Sequence, residues 1–183
     1  ASREILEENR DDLAAIIIEP VLGGSGMVAA DRDYLIMLRE FTERTGAVLI
    51  FDEVISFRVA AGGAQEYYGV TPDMTTFGKV IGGGFPVGAF GGRRDLMELF
   101  DPTKGPAVSH AGTFNGNPLT MLAGSITMEH LTPEVYQRLD TLTERLRYGV
   151  REAGADLEVP LQVTGIGSLF GIHFTDVPVR GWR

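Results

Sequence analysis

Two short runs, residues 13–18 (LAAIII) and 47–51 (AVLIF), contain no polar residue. A strand with one wet face alternates apolar and polar side chains. A brief unbroken apolar run rich in β-branched residues reads instead as a strand buried on both faces. Between the runs, Asp31 or Asp33 can cap a helix that continues to Thr45 and stops at Gly46. Leu35, Leu38 and Phe41 recur at helical spacing in that segment and read as core packing. Strand, helix and strand in so short a span make a parallel βαβ unit, so the chain is expected to be α/β with a mostly parallel sheet and helices on both faces.

The remaining chain extends this frame. Residues 2–12 read as an exposed helix and 23–26 (GGSG) as a flexible loop beyond the first strand. Short strands are expected at 73–77 and 87–90, a helix at 93–100, and a loop of small residues at 109–118 (SHAGTFNGNP). Asn117 is a good cap for a helix over 118–131, and a further helix over 133–153 carries Leu139, Leu142, Leu146 and Val150 on one face and ends at Gly154. Residues 161–163 and 168–174 read as an antiparallel pair outside the first sheet. A boundary near Leu131 divides the chain into 1–131 and 132–183. The start at Ala1 and the stop soon after a strand-like run suggest a piece of a longer protein.

Composition removes several function classes. The formal net charge is −9 and the basic residues are scattered, which argues against nucleic acid or an anionic membrane as partner. The apolar runs are far too short to span a bilayer, and no basic start followed by an apolar core marks a leader, so a cytoplasmic location is expected. Without cysteine there is no disulfide, thiolate chemistry or cysteine-bound zinc. His110, His130 and His173 have no ligand spacing and read as structural or surface residues, so no metal is expected.

Sites in open α/β sheets form beyond the carboxyl ends of the strands. Glu19, Asp52 and Lys79 each follow one of the expected strands. Lys79 lies in TTFGKVIGGGFPVGAFGG (75–92), among apolar residues and glycines, whereas Lys104, the only other lysine, lies in the turn-like DPTKGP. A lysine in apolar surroundings can lose its proton and attack a carbonyl, but it can equally extend its head into water from a strand end. Asp52 can likewise be a cap or a functional carboxylate. A Schiff-base lysine with an aspartate facing a pyridinium nitrogen is the pattern of a pyridoxal phosphate site.

Four motifs make the pattern specific: IIIEPV (16–21), VLIFDEV (48–54), PDMTTFGKVIGGGFPVGAFGG (72–92) and AGTFNGNPLTMLAG (111–124). In order and spacing the chain resembles the class-III aminotransferases, closest to the branch that includes glutamate-1-semialdehyde aminomutase. The resemblance implies the later part of a fold-type-I large domain, followed by the start of a small α+β C-terminal domain. It also implies pyridoxal 5′-phosphate as cofactor, a homodimer, and small-molecule amino donors and acceptors. Lys79 matches the lysine that holds the cofactor as an internal aldimine, and Asp52 the acid on the pyridine nitrogen. Val54 matches the apolar residue on the ring face, and Thr113 the threonine that reaches the phosphate from the partner subunit. Glu19 matches the acid of a Glu-Pro-Val turn near the site, with a structural role equally open. The glycines after Lys79 would let backbone approach the cofactor.

The chain also departs from the family. Ser25 stands where the aminomutases tend to carry asparagine, and Ile55-Ser56-Phe57-Arg58 is a form shared with β-amino-acid aminotransferases. Aminomutase and intermolecular transaminase therefore both stay open. The family's main phosphate cup and ring-stacking aromatic residue belong N-terminal to the motifs present here, so the isolated chain is expected to be inactive. The rival of another class is a non-catalytic structural or cofactor-binding piece of this fold. A nucleotide-binding protein fits poorly, because neither GxGxxG after a first strand nor GxxxxGK[ST] occurs.

Overall fold

A polar helix, α1 (Ser2–Glu8), leads into β1 (Ala15–Ile18). The computed structural model describes residues 2–181. The glycine-rich segment after β1 is an ordered hairpin, in place of the expected flexible loop. Its strands β2 (Val21–Leu22) and β3 (Val28–Ala29) pair antiparallel. The Glu19 carboxylate accepts a hydrogen bond from the Gly23 amide at 3.1 Å, and the Ala30 amide closes on the Pro20 carbonyl at 2.9 Å. The helix α2 (Arg32–Thr45) begins at Asp31, whose side chain accepts from the Asp33 amide, and ends where Gly46 turns left-handed and bonds back to Thr42. Its Leu35, Leu38 and Phe41 are buried.

The second apolar run becomes β4 (Val48–Asp52), followed by a 3-10 turn (Ser56–Val59) and the short helix α3 (Gly63–Tyr68). β5 (Met74–Gly78) ends one residue before Lys79. A second 3-10 turn (Lys79–Gly82) then reverses the chain into β6 (Gly88–Gly92). The helix expected over 93–100 is one α-helical turn, α4 (Arg94–Met97), that tightens into a 3-10 turn. α5 (Pro118–His130) is capped by Asn117, whose side chain accepts from the Leu119 and Thr120 amides.

α6 (Pro133–Asp156) runs past Gly154, which was expected to end it. Gly154 is buried against Leu161, and a Cβ there would sit 3.2 Å from the Leu161 Cβ, so this glycine serves close packing instead of termination. The leucine stripe of α6 does not enter the core. Leu142 and Leu146 are exposed, while Thr143 and Arg147 face inward. Arg147 donates to the carbonyls of Gly167 and Leu169, at 3.2 and 2.8 Å, and pins the helix to the following segment. Strands β7 (Gln162–Thr164) and β8 (Gly171–His173) form the separate antiparallel pair that was expected.

The main sheet has the order β1-β4-β5-β6. Its first two pairings are parallel, and β6 returns antiparallel along β5. Leu49 and Phe51 point to the face where Leu35, Leu38, Ala64, Tyr68 and Leu169 complete the core. On the other face Ile17 is 62% exposed, so β1, an edge strand, is covered on one side only by the described residues. Asp73, just ahead of β5, is buried. It accepts from the Leu49 amide at 2.8 Å and pairs with Arg39 and Arg93 at 3.1 and 2.9 Å.

Candidate active site

Parallel pairing brings the three chain reversals that follow β1, β4 and β5 to one edge of the sheet. Ile18 stands opposite Phe51 and Asp52 opposite Thr76, so Glu19 and Asp52 leave neighbouring strands at one level. Lys79 leaves β5 three residues beyond Thr76. Lys79 is an exposed residue, and among the described residues its amine has no hydrogen-bond or ion-pair partner. Lys104 instead pairs with Glu98.

The Asp52 side chain is held through one oxygen. Its Oδ1 accepts from the Val54 amide at 3.1 Å and from the Thr76 hydroxyl at 3.0 Å. Its Oδ2 takes no hydrogen bond among the described residues. Asp52 is therefore oriented and still has an acceptor to offer. Val54 and Lys79 line one cavity of about 760 Å³, with Met27, Arg58, Phe85 and Leu169 among its other walls.

Backbone strain gathers at this cavity. Three described non-glycine residues have left-handed φ, and two of them, Met27 at 53° and Lys79 at 49°, are among its walls. Such conformations persist only where the surroundings enforce them, and they cluster at sites. The enforcement at Lys79 comes from α5. A Cβ on Gly83 would lie 2.3 Å from the Ala123 carbonyl oxygen, and one on Gly124 would lie 2.1 Å from that of Ile81. The turn after Lys79 is thus seated on α5 through two glycines. Gly84, at φ 95°, has open space beside it and lines the cavity, whereas a Cβ on Gly82 or Gly83 would meet Val87 or Ala123.

Glu53 is a residue that sequence reasoning missed. It is fully buried, and its carboxylate accepts from the Ala64 amide, the Gln65 amide and side chain, and Ser56. Burial pushes its carboxyl up, and those hydrogen bonds offset the shift only in part. Standing between Asp52 and Val54, it fixes both to the start of α3. The available signal was an acid directly after a buried strand, with a glycine pair ahead of a short helix to supply free amides.

Thr113 lies in the exposed loop before α5 and does not line the cavity. Its neighbour Phe114 is 80% exposed, and α5 carries exposed Leu119, Met121 and Leu122. Among the described residues no group of three or more His, Cys, Asp or Glu could hold a metal ion, and no helix is long and apolar enough to cross a membrane.

The chain is 47% identical to the glutamate-1-semialdehyde 2,1-aminomutase of Methanococcoides burtonii over 98% of its own length and 43% of that protein's. Its fold matches an omega-transaminase from Sphaerobacter thermophilus at TM-score 0.95 and 50% identity, covering 99% of this chain and 42% of that one. A beta-phenylalanine aminotransferase from Variovorax paradoxus matches at TM-score 0.91 and 42% identity, over 99% and 42% of the two chains. The chain therefore spans less than half the length of these proteins. The sheet is part of a fold-type-I transferase fold. The model of the family described as aminotransferase class-III matches residues 1–181, and the chain belongs to that family.

Proposed function

We propose that the full-length protein catalyses pyridoxal-phosphate-dependent amino-group transfer, with Lys79 and Asp52 as its catalytic residues. The observation that carries this reading is an unpartnered lysine amine, on a strained turn, at the sheet edge where Asp52 keeps one carboxylate oxygen free. The residues fit the cofactor by their chemistry. A fixed carboxylate with a spare acceptor suits a protonated ring nitrogen, and Val54 supplies an apolar wall for a ring face. Class-III membership supports the same cofactor. When bound, pyridoxal 5′-phosphate supplies an electron sink. Asp52 would keep the ring nitrogen charged, and Lys79 would hold the cofactor through Nζ and supply the amine that moves a proton at the substrate Cα.

Borohydride reduction of the full-length protein with cofactor, followed by peptide mass mapping, tests the assignment. The label is expected on Lys79. A label on Lys104, or none, overturns it.

Aminomutase and intermolecular transaminase are both supported by relatives of comparable identity. Assays of the full-length protein with glutamate-1-semialdehyde and with β-phenylalanine separate the two. A cytoplasmic homodimer, with Thr113 reaching the partner's cofactor phosphate, belongs to the same proposal. So does a division near Leu131 into large and small domains. The exposed face of α5 beside Thr113 supports the dimer. On this reading the isolated chain turns over no substrate, because a phosphate needs several converging donors and the described cavity walls offer few.

A further inference from the structure

We infer that Arg58 binds a carboxylate of the substrate, in the cavity that holds the Lys79 amine. The inference rests on the amino-transfer reading and narrows it to substrates that carry an acid group. Arg58 lies in the 3-10 turn Ser56–Val59 and is partly buried. Its one hydrogen bond among the described residues runs from Nη2 to the Ser168 hydroxyl at 3.2 Å. A guanidinium has five N–H donors in a planar fork, so most of this one is unused. Arg39 and Arg147, the other arginines drawn well into the protein, each pair with a carboxylate. Arg58 pairs with none among the described residues.

On its cavity side the guanidinium calls for an anion, while Tyr136, which also feels Glu66, lies within electrostatic range of it outside the cavity walls. Apart from Lys79, Arg58 and Gly84, the cavity walls are apolar, so two cations share it with no lining acid. Glu53, close by in sequence, is not available as a partner, because Ala64, Gln65 and Ser56 already occupy its carboxylate. A cation in apolar surroundings gains most from a charged acceptor, and a planar carboxylate matches the guanidinium fork with two parallel hydrogen bonds.

The test uses full-length protein saturated with pyridoxal 5′-phosphate and follows binding calorimetrically. The probes are 3-phenylpropionate, which has no amine and cannot react, and its uncharged amide, 3-phenylpropionamide. The acid is expected to bind the wild type at least about tenfold more tightly than the amide. Arg58→Gln should weaken the acid about 10- to 100-fold and leave the amide unchanged, while Arg58→Lys keeps part of the preference. If Arg58→Gln melts early, Arg58→Met, of similar length, is read in its place. The inference is overturned if the wild type shows no preference for the acid, or if the preference survives removal of the guanidinium. Equal loss of both probes overturns it too. So does a loss confined to cofactor affinity, which would assign Arg58 to the cofactor phosphate. Neither probe has an amine, so the outcome is independent of the mapping that tests Lys79.

Discussion

The Thr76 hydroxyl donates to Asp52 Oδ1 at 3.0 Å, across a parallel pair in which the two residues stand opposite each other. The bond orients a carboxylate whose second oxygen stays free. Thr76→Val keeps the shape and removes the donor. In the full-length protein it is expected to lower kcat about tenfold, the effect of one hydrogen bond to a charged group. Asp52→Asn cannot hold a ring nitrogen protonated and is expected to lower kcat at least about 100-fold while cofactor binding stays largely intact. Steady-state kinetics beside a cofactor titration check both, and near-normal turnover in Asp52→Asn would make this carboxylate structural.

Acid stability depends on two carboxyls whose pKa values are shifted in opposite directions. Burial alone would push Asp73 up, but the Leu49 amide, Arg39 and Arg93 outweigh it and hold its carboxyl below the usual range. Its contribution is complete above the unfolded-state pKa and is lost as the pH falls through the folded one. Glu53 is raised by burial, so its ionisation opposes folding above the ordinary carboxylate range, and it favours the folded state as it takes up a proton on acidification. Asp73→Asn is expected to cost on the order of 3 kcal/mol at neutral pH, with the difference from wild type shrinking as the pH falls below about 4. Urea unfolding of the full-length protein at several pH values measures this. A cost that does not change with pH would show that Asp73 acts by shape alone.

The seat of the lysine turn on α5 gives a third expectation. Gly124→Ala places a methyl 2.1 Å from the Ile81 carbonyl oxygen if nothing moves, so the turn must shift. A stability loss of about 1–3 kcal/mol is expected, together with slower labelling of Lys79 by cofactor and borohydride. Ser125→Ala, on exposed surface next in the chain, serves as control and should change neither. Normal labelling in a destabilised Gly124→Ala protein would uncouple α5 from the lysine.

The proposed dimer has its own signature. Leu122 on α5 is 61% exposed, and Leu122→Arg is expected to shift the full-length protein toward monomer in sedimentation. Mixing Lys79→Ala with Thr113→Ala subunits should restore activity above either parent, because one mixed site then carries both defects and the other carries none. No restoration counts against a shared site.

The sequence made α2 fully legible, because Asp31, Gly46 and the Leu35, Leu38, Phe41 stripe all act locally. The shared position of the three strand-end residues was legible for another reason, since parallel βαβ topology places such ends together. The β2–β3 hairpin was not, because two-residue strands are too short to show a period. The antiparallel return of β6 depends on pairing partners that no local signal encodes. In α6 the leucines announced a buried face, yet Thr143 and Arg147 face inward, because Arg147 finds carbonyls at Gly167 and Leu169 that only tertiary structure supplies. Glu53 stayed hidden because its partners come from a helix start formed later in the chain.

The left-handed backbone at Met27 and Lys79 bears on how this protein can be made hardier. Each such residue costs on the order of 1 kcal/mol or more relative to a relaxed backbone. Glycine would relax the backbone at either position, though its larger unfolded-state entropy offsets much of that relief, and both positions lie on the walls of the cavity. At Lys79 that relief removes the amine itself. If Lys79 carries the proposed chemistry, endurance and turnover pull in opposite directions at this one residue, on the edge of the sheet where the cavity opens.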